Sequence, residues 1–284
     1  MEKTLLSFGH GYSARALAAR LIPQGWRIIG TTRSADKLDD IARTGVEPVQ
    51  WPGADLRPLL HEARHVLVSA GPGPEGDPVL NALAPDIAEV APKLRWLGYL
   101  STTGVYGDHQ GDWVDEQTPL APSTRRGQAR VEAEAAWQAI PGLPLHIFRL
   151  AGIYGPGRGP FAKVRRGTAR RIIKPGQVFS RIHVEDIAQA LELSIGQPDP
   201  GAIYNLCDDD PAPPQEVIGH AAALLGLPLP PAEDFETAEM TPMARSFYAE
   251  SKKVRNDHAK RSLGWIPQYP DYKSGLAAML QDDT

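Results

Sequence analysis

The stretch T-L-L-S-F-G-H-G-Y-S-A-R, Thr4 to Arg15, decides how the rest of the chain is read. A short apolar run ends at Phe8, and Gly9, Gly11 and Ala14 then take the G-x-G-x-x-(G/A) positions at the head of an amphipathic run over 13–24. Strand, glycine turn and helix in that order make a cradle for a dinucleotide. The first glycine permits the tight turn, the second lets a pyrophosphate approach the backbone, and the small third residue lets helix and strand pack closely. Tyr12 and Ser13, at the start of that helix, join Gly9, Gly11 and Ala14 as candidate cofactor contacts.

Outward from this unit the same rhythm repeats. R-I-I-G-T-T, V-E-P-V-Q-W and H-V-L-V-S-A alternate with amphipathic stretches over 35–43 and 55–63. An apolar-rich helix over 79–90, the run W-L-G-Y-L-S, a helix from about 126 and the run L-H-I-F-R-L follow. Alternating strands and helices predict an α/β fold, a doubly wound parallel sheet of the Rossmann kind with six or more strands. After Tyr154 the texture becomes rich in Gly, Pro and basic residues, with a Pro-rich region from Pro211 to Pro231. This predicts a dinucleotide-binding domain over 1–206, carrying a substrate-side insertion at about 156–180, and a smaller C-terminal substrate-covering lobe over 207–284.

Composition narrows the partners. The 284 residues carry 30 basic and 34 acidic side chains, a net charge of −4, with no basic tail or stripe of the kind that binds nucleic acid. Small molecules are the expected partners. The single cysteine, Cys207, excludes an internal disulfide and fits a reducing compartment. The opening M-E-K-T-L-L-S-F-G is too short for a secretory signal, and no run approaches the roughly 18 apolar residues of a membrane span. The expected location is cytoplasmic, without a membrane partner.

The second strand ends T-T-R-S, which puts Arg33 where an NAD-binding chain carries an acid for the adenosine ribose. Arginine suits a 2′-phosphate, so NADP is the favoured cofactor, while Asp36 lies near enough to serve NAD after a loop adjustment. Ser69, Ala70 and Gly71, directly after the fourth strand, complete the candidate cofactor set. H-E-A-R-H, His61 to His65, matches a zinc-protease string, but His65 leads straight into a strand. That chemistry needs both histidines on one face of an unbroken helix, so no metal is expected.

Y-L-S-T-T-G-V-Y-G, Tyr99 to Gly107, places hydroxyl side chains at the C-terminal end of a parallel strand, the edge where such sheets bind ligands. Together with D-E-Q-T-P-L-A-P, F-R-L-A-G-I-Y-G-P-G-R and S-R-I-H-V-E-D-I-A, the chain resembles the extended short-chain dehydrogenase/reductase family, the group of nucleotide-sugar epimerases and dehydratases. The resemblance runs from Lys3 to about Leu206. It implies that Thr102 hydrogen-bonds substrate and that a Tyr-x-x-x-Lys pair supplies a proton and holds the nicotinamide ribose. Those two positions hold Arg126 and Arg130, with Gly127 and Glu134 matching the family's neighbouring glycine and glutamate. The departure resembles the atypical members that keep the cofactor fold and lose the standard site.

Arginine has no proton to exchange at neutral pH, so Arg126 cannot replace the tyrosine, whereas Arg130 can still donate to a ribose hydroxyl. Tyr106 and Tyr154 are the nearest other phenols, at positions the family uses structurally, and His183 and Asp186 match an element taken as packing and orientation. Arg158, Lys163, Arg165, Arg166, Arg170 and Arg171 form a basic segment, readable as a phosphate site or as a solvated helix face. The resemblance implies an NADP-linked oxidoreductase, epimerase or dehydratase acting on an anionic, nucleotide-sugar-like substrate. The alternative is a catalytically silent NADPH-binding sensor or regulator. A homodimer is common in the family.

One local feature opposes elementary electrostatics. P-S-T-R-R-G-Q-A-R, Pro122 to Arg130, starts a helix with Arg125 and Arg126 in its first turn. A helix N-terminus carries partial positive charge, so arginine there loses about 0.3–1 kcal/mol relative to an acid. An anion received by Arg126 would offset that cost; otherwise the two arginines are solvated.

Overall fold

A computed structural model describes residues 3–282. Seven strands form its main sheet: β1 Thr4–Phe8, β2 Arg27–Thr32, β3 Glu47–Gln50, β4 His65–Val68, β5 Trp96–Thr102, β6 Leu145–Leu150 and β7 Ile203–Leu206. They lie in the order β7-β6-β5-β4-β1-β2-β3, every pair parallel. The order reverses beside β1, and in such sheets that switch point opens a crevice at the carboxyl ends of the strands. β3 is the edge, where Pro48 removes no needed ladder donor.

Strand side chains alternate between faces, and the core divides accordingly. Leu5, Ile28, Leu67, Trp96 and Leu100 join one apolar cluster with Ala14, Leu17 and Ala18 of the Tyr12–Leu21 helix and Ile187 and Leu191 of the Val184–Gly196 helix. Leu6, Ile29, Val66, Leu97 and Tyr99 join a second with Leu60, Val79, Ile87 and Trp137 from the helices of the opposite face. Helices thus cover both sides of a parallel sheet, the doubly wound α/β arrangement that the alternating sequence predicts.

A third apolar cluster holds the lobe. It joins Tyr154, Phe161, Val164, Val217, Ala221, Tyr272, Leu276 and Met279. A two-stranded pairing of Arg171–Ile173 with Ala232–Asp234 ties the 156–180 region to the segment beyond Pro230. The chain then returns: Val254, Ala259, Leu263 and Trp265 pack into the first cluster before the last helix, Tyr272–Asp282, rejoins the lobe. The apolar packing therefore does not divide at a single point near residue 206. Among the described residues, no helix is long and apolar enough to cross a membrane.

Candidate functional site

The glycine turn is fixed by hydrogen bonds to β2. Gly9 N–H donates to Thr31 Oγ1 at 2.9 Å and His10 N–H to Thr31 O at 2.7 Å. Gly9 has φ +73°, and a Cβ there would lie 2.9 Å from Ala70 N, so conformation and space both require glycine. Gly11 differs. It precedes the first turn of the Tyr12–Leu21 helix, with no side-chain cap, and a Cβ on it would meet only Gly9 O, at 3.7 Å. Open space above uncapped N–H groups is what an incoming pyrophosphate needs.

A cavity of about 660 Å³ opens over this turn, lined among others by Gly9, Gly11, Tyr12, Arg33, Ser69, Ala70 and Gly71. Ser13 and Ala14 lie behind it, buried, Ala14 in the helix-sheet core. Ser69 Oγ donates to Phe8 O and Gly9 O, which ties the β4 loop to the glycine turn. Tyr12 Oη donates to Pro156 O at 2.9 Å, and Arg158 lies over its ring at 5.7 Å, so the G-P-G-R loop closes against the head of the helix. Burial pushes the Tyr12 phenol up to about 12.

Two cavity cations escaped the sequence reading: Arg15 and Lys37 line the same space as Arg33. Their spacing from Arg33 carries no signal; only folding converges them. None of the three has an acidic partner among the described residues, while Asp40, also on the wall, is engaged by Arg43 at 2.8 Å. Asp36 is exposed and not among the lining residues.

At the far edge, Thr102 closes β5, and its Oγ1 accepts from Gly104 N–H at 3.1 Å. Arg130 donates through Nη1 to Tyr99 Oη at 3.2 Å and to Leu100 O, and its Nη2 lies 3.1 Å from where a Gly71 Cβ would stand. This arginine therefore borders the Gly71 end of the cavity. Arg126, one turn earlier on the same Arg125–Gln138 helix, is exposed and sits over the Phe247 ring at 5.1 Å. Thr124 caps that helix by accepting from Gly127 N–H at 3.1 Å.

Beneath them lies a buried polar network. Glu134 pairs with Arg149 at 2.7 Å, the two side chains 2% and 4% exposed. Ser101 Oγ donates to Glu134 at 2.5 Å, Arg149 Nη1 donates to Tyr106 Oη at 3.0 Å, and Tyr106 Oη donates to Asn205 Oδ1 at 2.7 Å. The network pins the helix bearing Arg126 and Arg130 against the ends of β5, β6 and β7. It also immobilises Tyr106, whose phenol burial pushes up to about 12. Tyr154 is buried in the lobe with Oη toward Asp271 O at 3.4 Å, and burial raises its pKa strongly. Neither phenol lines the cavity.

The remaining motifs separate. His61 lies in the last turn of the Arg57–Glu62 helix, whereas His65 is buried at the head of β4 against Trp26, and burial pushes it down to about 4. Among the described residues no three His, Cys, Asp or Glu side chains form a metal cluster. In the basic segment, Arg170 pairs with Glu233 at 2.9 Å and Arg171 donates to Pro230 O at 2.8 Å, both binding the lobe together, and Arg158 alone reaches the cavity rim through Tyr12. Asp186 accepts from Gln268 and Tyr269 N–H at 2.6 and 3.1 Å.

No family model matches the chain. Among curated proteins, it is 29% identical over 285 residues to Protein YeeZ of Escherichia coli K12, covering 95% of this chain and 97% of that one. It is 29% identical over 177 residues to a 3-diazoavenalumate denitrifying reductase of Streptomyces, covering 58% and 55% of the two chains. Among solved structures, a functionally unknown conserved protein from Silicibacter pomeroyi superposes with TM-score 0.96 at 62% identity, over 99% of each chain. A protein from Methylobacillus flagellatus, provisionally assigned as an NAD-dependent epimerase/dehydratase, superposes with TM-score 0.75 at 26% identity over 100% of this chain and 99% of the other. The chain is thus similar in fold and sequence to proteins of the NAD-dependent epimerase/dehydratase kind. Arg126 and Arg130 stand where the sequence resemblance leads one to expect a Tyr-x-x-x-Lys pair.

Proposed function

We propose that the chain binds NADP(H) and acts as an oxidoreductase, epimerase or dehydratase on a small anionic substrate of nucleotide-sugar type. The cavity at the carboxyl ends of β1, β2 and β4 carries this reading: a glycine cradle with room above Gly11 and, on its wall, three cations without acidic partners among the described residues. The group fits the residues present. Gly9, Gly11 and Tyr12 would face its pyrophosphate, with Ser69, Ala70 and Gly71 along the opposite wall and Ser13 and Ala14 packing the helix behind. Arg33, Arg15 and Lys37 supply positive charge for a 2′-phosphate, and the absence of Asp36 from the cavity wall disfavours NAD. When bound, the nicotinamide would supply hydride transfer.

The chain's own contribution is positional. Arg130, held by Leu100 O and Tyr99 beside Gly71, would donate to the nicotinamide ribose and keep positive charge at that edge. Thr102 would donate its hydroxyl proton to substrate, since its lone pair already accepts from Gly104. Arg126 would receive the substrate's carboxylate or phosphate. The division into a dinucleotide domain and a C-terminal lobe, the cytoplasmic location and a homodimeric assembly belong to the same reading.

A second reading draws on one specific observation: the two alternative phenols, Tyr106 and Tyr154, are buried and engaged away from the cavity. Without an aligned protic group the chain is a silent NADPH-binding sensor or regulator. Calorimetric titration with NADPH and NADH tests cofactor binding, and equal affinity for the two would overturn the NADP assignment. NADPH-consumption assays against nucleotide-sugar and carboxylate-bearing carbonyl compounds then separate the readings. Tight NADPH binding with no turnover on any of them selects the sensor.

A further inference from the structure

Between Ala238 and Ser251 the chain runs for twelve residues without a buried side chain. The ends are firm: Ala238 and Ser251 are buried, Ser251 N–H donates to Asp108 Oδ1 at 2.8 Å, and Lys252 Nζ donates to Gly107 O at 2.7 Å. Tyr248 packs its ring against Phe179 at 5.7 Å and Phe235 at 5.3 Å on the lobe side, but with no side chain buried between its fixed ends the segment is of low local stability. The strap is not featureless, since Thr241 caps the short Pro242–Ser246 helix and Arg245 donates to Phe235 O and Ala238 O. It also leaves Met243 and Phe247 exposed at 65% and 54%, large apolar side chains on a surface element.

The strap and its fixed end meet the start of the Arg125–Gln138 helix and the residues just before it. Phe247 lies under the Arg126 guanidinium at 5.1 Å, and Glu250, at the fixed end, accepts from Ser123 Oγ at 2.6 Å. Lys174 Nζ donates to Tyr248 O on the lobe side. The contact made within the strap to the helix is thus the arginine-ring stack, and it falls on Arg126, one turn before the Arg130 that borders Gly71 and the residue proposed above to receive the substrate's anion.

We infer that the 239–249 strap is a lid over the substrate side of the site, latched by Arg126 on the face of Phe247. The inference rests on the dinucleotide-binding reading above. The latch ties lid position to an arginine at the substrate edge. An arginine keeps its ring contact while its fork edge engages an anion, so an anionic group arriving at Arg126 finds the lid already in place.

Hydrogen exchange of the full chain tests the latch without any substrate. Amides of 243–249 should exchange about two- to five-fold faster in Phe247→Ala, the range one exposed cation–ring contact supports, and at the wild-type rate in Phe247→Trp. Arg126→Gln should match Phe247→Ala, and the double variant should exchange no faster than either, because each change removes the same contact. Amides of β1 and β4 report that the fold is intact. The cover is tested with bound NADPH: acrylamide should quench its fluorescence more strongly in Phe247→Ala than in wild type or Phe247→Trp. Unchanged exchange in both single variants, multiplicative effects in the double variant, or equal quenching in all proteins overturns the lid. Failure of the wild type to bind either nicotinamide dinucleotide overturns the cofactor reading instead, whatever the strap's exchange rates.

Discussion

Removing the three cavity cations one at a time should dissect cofactor choice. Arg33 and Lys37 are exposed and Arg15 is half-buried, so their contacts with a phosphate differ in screening. A well-formed hydrogen bond to a charged group is worth about 1.5–3 kcal/mol, while an exposed ion pair falls to about 0–1 kcal/mol. Arg33→Ser and Lys37→Ser should each weaken NADPH by about 1 kcal/mol, roughly five-fold, and Arg15→Ser by about 2 kcal/mol, roughly thirty-fold. NADH carries no 2′-phosphate and should change by less than about two-fold in all three. Arg33→Asp adds repulsion and should lower the NADPH:NADH affinity ratio further than Arg33→Ser. Calorimetry at low and high salt supplies a second signature: NADPH affinity should fall with ionic strength in the wild type and become insensitive to it in the triple variant. A ratio that does not move in any variant would refute the assignment of these cations to a 2′-phosphate. Loss of NADPH and NADH together would place them against the pyrophosphate instead.

The two glycines of the turn should fail differently: Gly9→Ala, with φ +73° and a contact of 2.9 Å to Ala70 N, should cost about 1–3 kcal/mol of stability, visible in denaturant unfolding. Gly11→Ala meets nothing nearer than 3.7 Å, so it should fold normally yet bind dinucleotide at least about ten-fold more weakly, and normal binding would remove the pyrophosphate from that position. Glu134→Ala strands the buried Arg149 and should cost about 3–5 kcal/mol, whereas the double variant Glu134→Leu/Arg149→Met should be markedly more stable than Glu134→Ala; equal losses would show that the pair is not the source of the cost. Asp208 is buried, which pushes its carboxyl up to about 8 from 3.8, so the folded state holds a proton that the unfolded state has released across that window. Its contribution is then full below about pH 4 and lost as pH rises through about 8, so Asp208→Asn should gain on the wild type over that range by at least about 1 kcal/mol, read from thermal unfolding at pH 5 and 9. A stability gap independent of pH would place the Asp208 proton elsewhere.

What could be read before folding follows from how local each determinant is. The Gly9–Gly11–Ala14 spacing encodes a turn whose requirements are met within a few residues, and the alternation of apolar runs with amphipathic stretches encodes the sheet, because period and strand length are local quantities. The helix boundaries moved only at their ends, as with the run over 13–24, which is an α-helix to Leu21 and a 3₁₀ turn beyond it. The lobe is different. Its core joins Tyr154 to Leu276, and its small sheet joins Arg171–Ile173 to Ala232–Asp234, pairings with no period or motif to announce them. The cavity cations fail for the same reason: Arg33 stood out by its place at the end of β2, while Arg15 and Lys37 acquire meaning only when the helix and the loop beyond β2 converge on one space.

Arg126 shows how a correct local argument leads to an open functional one. The helix dipole makes arginine in a first turn unfavourable by about 0.3–1 kcal/mol, which calls for a compensating partner. Sequence proximity offers only an anion brought from outside, because the acids nearby, such as Glu132 and Glu134, lie further along the same helix. The fold supplies another partner, the face of Phe247 at 5.1 Å, and an exposed contact of this kind returns about 0.5–1 kcal/mol. The local cost is therefore balanced without any ligand. It follows that Arg126's position alone cannot argue for an anion site, and that its value to function lies in the edge of the guanidinium the ring leaves free. Arg125, exposed in the same turn, sharpens the comparison. If helix electrostatics were all that mattered, Arg125→Glu and Arg126→Glu would each stabilise the chain by about the same 0.3–1 kcal/mol. With the ring contact counted, only Arg125→Glu should gain, and Arg126→Glu should return close to nothing in thermal unfolding. Equal gains at both positions would mean that the Phe247 contact contributes nothing in solution, and the latch would fall with it.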